Sequence, residues 1–121
     1  MEKEWFSPLA DELAQCLLDA RACAAACETL LDDARDRLDA AGQRRLLDAL
    51  VPAAAIAQVM IELLDRPQQL VLAAALVCRD STARAADDLG ALELPLETAT
   101  AIAALRAAAE SSAALLDAAG Y

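Results

Sequence analysis

The chain contains no histidine, and that absence removes more chemistry than any other feature of its 121 residues. Without imidazole there is no Ser-His or Cys-His nucleophile, no Glu-x-x-His pair of the kind that builds di-iron centres in bundles, and no His-ligated zinc or haem. Phe, Tyr and Trp occur once each, so aromatic strand formers are scarce. The three glycines, Gly42, Gly90 and Gly120, each fall where a helix is expected to end, which leaves no glycine-rich loop to cradle a phosphate. Basic residues are outnumbered, with 10 Lys and Arg against 20 Asp and Glu, and the net charge of -10 works against nucleic acid and anionic membrane surfaces. Charge-free runs around Leu50–Ile61 and Pro67–Cys78 stop well short of the ~18 residues of a spanning helix, so no membrane span is expected. The opening Met1-Glu2-Lys3-Glu4-Trp5 carries acid where a secretory signal has a basic region followed by an apolar one. A soluble, cytoplasmic chain is expected.

What the chain does have is alanine, 33 residues of 121. The best helix former therefore dominates, at a length suited to one domain with one core. The expected fold is all-α, an antiparallel up-down-up-down four-helix bundle spanning residues 1–121, with helices over about 8–40, 43–65, 67–89 and 96–119. Ser7 caps the first helix and Pro8 presets its first position, with Asp11 and Glu12 near the positive end of the dipole. Gly42 supplies a left-handed stop before a short antiparallel turn. Pro52 either kinks the second helix or restarts it. Asp65-Arg66-Pro67 opens the third helix, Gly90 ends it, and the fourth presents Thr98, Ile102, Leu105, Ala109, Ser112 and Leu116 at helical spacing. Trp5-Phe6 reads as a lid over the bundle end or a contact with a second copy. Asp32-Asp33-Asp36-Asp39, interleaved with Arg35 and Arg37, reads as a solvated helix end, and so does Asp87-Asp88.

The cysteines carry the chemistry. Cys16, Cys23 and Cys27 fall within about 40° of one another around one helix. They share a seam in which Leu9, Cys16, Cys23 and Leu30 alternate with Leu13, Ala20, Cys27 and Ala34. The thiols therefore face other helices. Reduced thiols are expected in a cytosolic chain, and an i, i+4 pair keeps its Cβ atoms about 5–6 Å apart, too far for an unstrained disulfide. Counting outward from the turns places Met60 opposite Cys16 or Leu17, and Cys78 level with Ile56. Sulfur in a bundle interior is core filling or a soft-metal lining. Thiolate and thioether donors at neighbouring levels suit Cu(I), which accepts low coordination numbers, whereas an elongated array leaves tetrahedral Zn(II) unsatisfied.

Cys16-x6-Cys23-x3-Cys27, then Ala53-Ala54-Ala55-Ile56-Ala57, the turn Leu63-Leu64-Asp65-Arg66-Pro67 and Val77-Cys78 resemble the cysteine-rich four-helix bundles of the copper storage protein family. The resemblance implies C-x-x-x-C pairs lining each bundle, Cu(I) as cargo, and assembly into a homo-oligomer, commonly a tetramer. Carried over residue by residue, it implies Cys16, Cys23, Cys27 and Cys78 as ligands, to which counting of levels adds Met60. Where the family repeats cysteines, this chain has Ala53, Ala57, Ala75, Thr82 and Ala85, and its fourth helix has none. The expected function is therefore binding of few Cu(I) ions. The alternatives are a metal-free relative serving as a structural or protein-interaction module, and small-molecule or enzymatic use of the interior, for which no acid, base or nucleophile set is visible.

Overall fold

The computed structural model describes residues 9–63 and 66–121. Four helices, α1 (Ala10–Arg37), α2 (Ala40–Leu63), α3 (Gln68–Ala91) and α4 (Ala99–Ala118), form an antiparallel bundle. Each packs on its neighbours in sequence and α1 closes the ring against α4. The fold is the all-α four-helix bundle that alanine content and seam spacing predict. The expected Ser7 cap, Pro8 and the Trp5-Phe6 lid lie outside the described residues.

The α1–α2 turn is built differently from the sequence expectation. α1 stops at Arg37 rather than near residue 40, and Leu38 is extended, at φ -113° and ψ 147°. Gly42 is not a left-handed stop, since Gly120 is the only described residue with positive φ. Instead Asp39 caps α2: its Oδ1 accepts a hydrogen bond from the Gly42 N–H at 2.7 Å, satisfying one of the orphan donors of the first turn. Gln43 Nε2 donates to the Leu38 carbonyl at 2.9 Å and braces the same turn. Glycine is favoured here by space, because a Cβ at Gly42 would lie 3.1 Å from Asp39 Oδ1 and 3.3 Å from Leu38 Cβ.

Pro52 sits inside an unbroken α2. It faces outward and is exposed, so solvent is available to the Asp48 carbonyl that its missing N–H leaves unpaired. Pro67 stands at the cap of α3, and its carbonyl accepts from the Leu70 and Val71 N–H groups. Gly90 lies within α3, which continues to Ala91 before Leu92 turns extended. α4 begins at Ala99, whose N–H bonds to Glu97 Oε1 at 2.9 Å. Its end is a Schellman closure, with Tyr121 N–H on the Leu116 carbonyl, Gly120 N–H on Asp117, and Gly120 at φ +91°.

The core divides into two clusters along the bundle axis. Nearer the 38–39 and 92–98 connections lie Leu30, Ala34, Leu46, Leu50, Ala53, Ala57, Leu89 and Leu105 with Cys23 and Cys27. Toward the other end lie Leu9, Val71, Leu72, Ala75, Leu115 and Leu116 with Cys16, Met60 and Cys78. The expected α1 seam is buried, with Leu13 only partly so. The α4 seam is rotated from the expectation. Ala101, Leu105, Ala108, Ser112 and Leu115 face inward, while Thr98, Ile102 and Ala109 are half-buried at its flanks.

α2 and α4 are, by length and composition alone, apolar enough to cross a bilayer, because their apolar stretches extend past the charge-free runs when two charges are tolerated. The mean hydropathy of α2 survives Asp48 and Glu62 because Leu, Val, Ile, Met and Ala fill most other positions. Neither helix is apolar all round: Arg44, Arg45, Asp48, Gln58 and Glu62 are exposed on α2, and Arg106 and Glu110 on α4.

Candidate metal centre

All four cysteines are free thiols inside the bundle, each no more than 2% exposed. The heptad seam of α1 turns three of them inward, and Cys78 reaches the interior from α3. Thus Cys78 does not face solvent, and the first-helix thiols share the dry centre with it.

Cys23 and Cys27 stand one turn apart on the inward stripe of α1, both fully buried. Interaction with the Cys27 thiol, with burial added, drives the Cys23 thiol far above its ordinary range, and interaction with Cys23 holds Cys27 below it.

Cys16 Sγ donates to the Ser111 carbonyl of α4 at 3.1 Å. Burial lifts its thiol from the ordinary 9.0 to about 11; the Ser111 side chain opposes that rise, and Cys78, Asp19 and Glu12 add to it. Cys78 is also raised by burial, opposed by hydrogen bonds to Ser112 and Thr82. Cys78 is close enough to Cys16 and to Cys23 for its charge to act on both. Met60, 1% exposed, shares a cluster with Cys16 and Cys78, as the counting of levels predicts.

Three hydroxyls are buried among the described residues, Thr82, Ser111 and Ser112, polar groups that the alanine-rich seams do not single out. Thr82 Oγ1 donates to the Cys78 carbonyl at 2.6 Å, and Ser111 Oγ donates to the Ala108 carbonyl at 3.3 Å. The spacing of Thr82 four residues after Cys78 was the one available signal, since a helical Thr returns its hydroxyl to the carbonyl of the preceding turn.

The donor set is narrow. Among the described residues no three His, Cys, Asp or Glu side chains come together as a metal-holding group. Tetrahedral zinc therefore does not fit. Two adjacent soft sulfurs do fit a soft monovalent ion of low coordination number. The acidic runs offer no competing site: Asp32 pairs with Arg35 at 3.6 Å and Asp87 with Arg106 at 3.7 Å, all strongly exposed. A surface groove between α1 and the start of α4, of about 400 Å³, is walled by Ala22, Ala26, Thr29, Asp33, Glu97 and Thr100 among others, with no cysteine.

Comparison with known proteins agrees with the chemistry of the interior. The sequence profile of a family described as copper storage protein matches residues 9–116. No curated protein and no solved structure matches the chain.

Proposed function

The chain belongs to the copper storage protein family, and from that membership we propose that it holds a small number of Cu(I) ions on thiolates inside its bundle. Cys23 and Cys27 form the primary pair. Cys78 and Cys16 extend the site toward the other end, with the Met60 thioether as an auxiliary soft donor. The observation that carries this reading is the Cys23–Cys27 pair, two fully buried sulfurs one turn apart on the inward stripe of α1. Metal binding replaces thiol protons, so each Cu–S bond releases a proton and the ion's charge stabilises the thiolate in a site that otherwise disfavours it.

The partners in this proposal are the metal ion and further copies of the chain in a cytoplasmic setting. Self-association is supported by exposed apolar side chains on α2 and α3, namely Leu47, Val51, Val59, Leu70 and Val77. Nucleic acid and membrane are set aside on the net charge of -10. The test is an anaerobic Cu(I) titration against a competing chelator. Wild type is expected to retain Cu(I) that the Cys16→Ala/Cys23→Ala/Cys27→Ala/Cys78→Ala protein surrenders; equal retention overturns the proposal.

The absence of any three-donor group among the described residues favours a second reading, a metal-free relative acting as a structural or interaction module. That reading gains if no metal copurifies and single Cys→Ala changes leave assembly untouched.

A further inference from the structure

Cys23 and Cys27 are fully enclosed, so anything that reaches them must cross the wall of the bundle. Protein interiors are close-packed and an ion without ligands is costly to bury, which favours a crossing where the wall is thinnest. Both ends of the bundle are plugged by leucines, Leu46 and Leu89 at the 38–39 and 92–98 connections and Leu9, Leu72 and Leu116 at the other. The side wall between α1 and α4 is different. There the groove of about 400 Å³ runs along Ala22 and Ala26, the residues that directly precede Cys23 and Cys27. Leu30 and Ala101 also line it, yet both are 3% exposed and belong to the core cluster that holds the two thiols. Leu30 stands three residues beyond Cys27, which makes the two side chains neighbours on the helix surface. One leucine side chain therefore borders the groove and the thiol cluster together.

We infer that this groove is the port through which Cu(I) reaches Cys23 and Cys27, with Leu30 as its gate. This rests on the Cu(I) reading above and adds the route. Charge singles the groove out. Its charged lining residues, Asp33 and Glu97, are both acidic, whereas the α2–α3 groove sets Arg84 among its acids and the α1–α2 groove carries Arg35. A cleft lined by one sign of charge concentrates the opposite ion at its mouth. Thr29 and Thr100 add hydroxyl oxygens there. Swinging the Leu30 side chain outward takes a rotamer change and room, and the groove supplies the room; opening a plugged end means separating packed helices. Each Cu–S bond that forms sends one thiol proton out to solvent by the same route.

Two rates test the port. One is anaerobic uptake of Cu(I) from its acetonitrile complex, followed by thiolate-to-copper absorption. The other, in the Cys16→Ala/Cys78→Ala protein, is capping of the remaining thiols by methyl methanethiosulfonate, which leaves a methyl disulfide and releases methanesulfinate. Ala22→Leu/Thr100→Leu adds bulk at exposed positions of the groove. It is expected to slow both rates about 10-fold, equivalent to about 1.4 kcal/mol on the barrier, with equilibrium Cu(I) affinity unchanged. Leu30→Ala is expected to speed capping beyond what its loss of stability explains. Asp33→Asn/Glu97→Gln is expected to slow Cu(I) uptake alone, about 10-fold at low ionic strength and hardly at all in about 1 M salt. Ala49→Leu, in the α2–α3 groove, is expected to change neither rate. Unchanged rates in Ala22→Leu/Thr100→Leu, or an equal slowing by Ala49→Leu, overturn the inference, and so do capping rates that follow the unfolding free energy of the variants rather than the groove they alter. A wild-type chain that takes up no Cu(I) defeats the proposed function instead, and capping alone then decides whether the groove leads to Cys23 and Cys27.

Discussion

The two halves of the bundle interior are built from the same helices but solve different problems. The half beside the 38–39 and 92–98 connections is sealed by fully buried Leu46, Leu50, Leu89 and Leu105, and its sulfurs, Cys23 and Cys27, stand one turn apart on α1. The half toward the other end holds Cys16, Cys78 and Met60, and its sulfurs bond outward, Cys16 to the Ser111 carbonyl and Cys78 to hydroxyls at the boundary. In the first half both sulfurs stand on one helix, although Leu115 and Leu116 seal the second half as tightly. In the other, sulfur is tied to the neighbouring helix. The difference shows that burial alone does not define a thiol's chemistry; the partner that receives its hydrogen does.

The strongest way to break this contrast is to open the sealed half. Leu50→Ala is expected to cost about 2–5 kcal/mol of unfolding free energy, because it removes a fully buried side chain and leaves a gap between α2 and its neighbours. Chemical denaturation measures it, and a loss under about 1 kcal/mol would mean that the half is loosely packed.

Alkaline pH acts on the other half. Cys16 titrates at about 11 in the folded chain against an ordinary 9.0, so the unfolded chain loses that proton first. The contribution is complete below pH ~9 and disappears as pH rises toward 11, on the order of 3 kcal/mol in all. Melting temperature of the metal-free protein should fall over that window, and Cys16→Ala should flatten the fall.

Met60→Leu tests the thioether without emptying its place. The volume is nearly conserved, so stability should change by less than about 1.5 kcal/mol, while Cu(I) retention should fall in wild type and stay unchanged in the Cys16→Ala/Cys78→Ala protein. A Met60→Leu chain that retains Cu(I) as wild type does would leave the sulfur of Met60 without a role.

The smallest effect is expected at the connection that bounds the sealed half. Asp39→Ala removes the acceptor of the Gly42 N–H and should cost about 1 kcal/mol, with Asp39→Asn restoring most of it. Thermal unfolding of the three chains checks this, and a neutral Asp39→Ala would assign the turn to Gln43 alone.

The parts of this fold that sequence exposes are those with chemical contrast. The α1 seam is legible because Leu and Cys stand out every third or fourth residue against charge, and it predicts the burial of Cys16, Cys23 and Cys27. α4 offers little contrast: alanine lies on every side of it, so Thr98-Ile102-Ala109 and Ala101-Ala108-Leu115 describe nearly equivalent stripes, and packing against α1 and α3 chooses the second. At the α1–α2 turn glycine suggests a left-handed stop, although the Asp39-Ala-Ala-Gly spacing carries a capping pattern whose acceptor meets the third helical N–H. The hydroxyls near Cys78 were hidden for another reason. Ser and Thr are small enough to pass for alanine in an inward position, and only the packing of α3 against α4 shows that Thr82, Ser111 and Ser112 are enclosed.

The inward positions Ala20, Ala53, Ala57, Ala75 and Ala85 are as enclosed as the thiols themselves. Alanine and cysteine are both small and tolerated without polar partners, and they differ by a single heavy atom. Donor number can therefore vary along such a scaffold almost independently of architecture, so that how much cargo the interior accepts and whether the chain folds become separately adjustable properties.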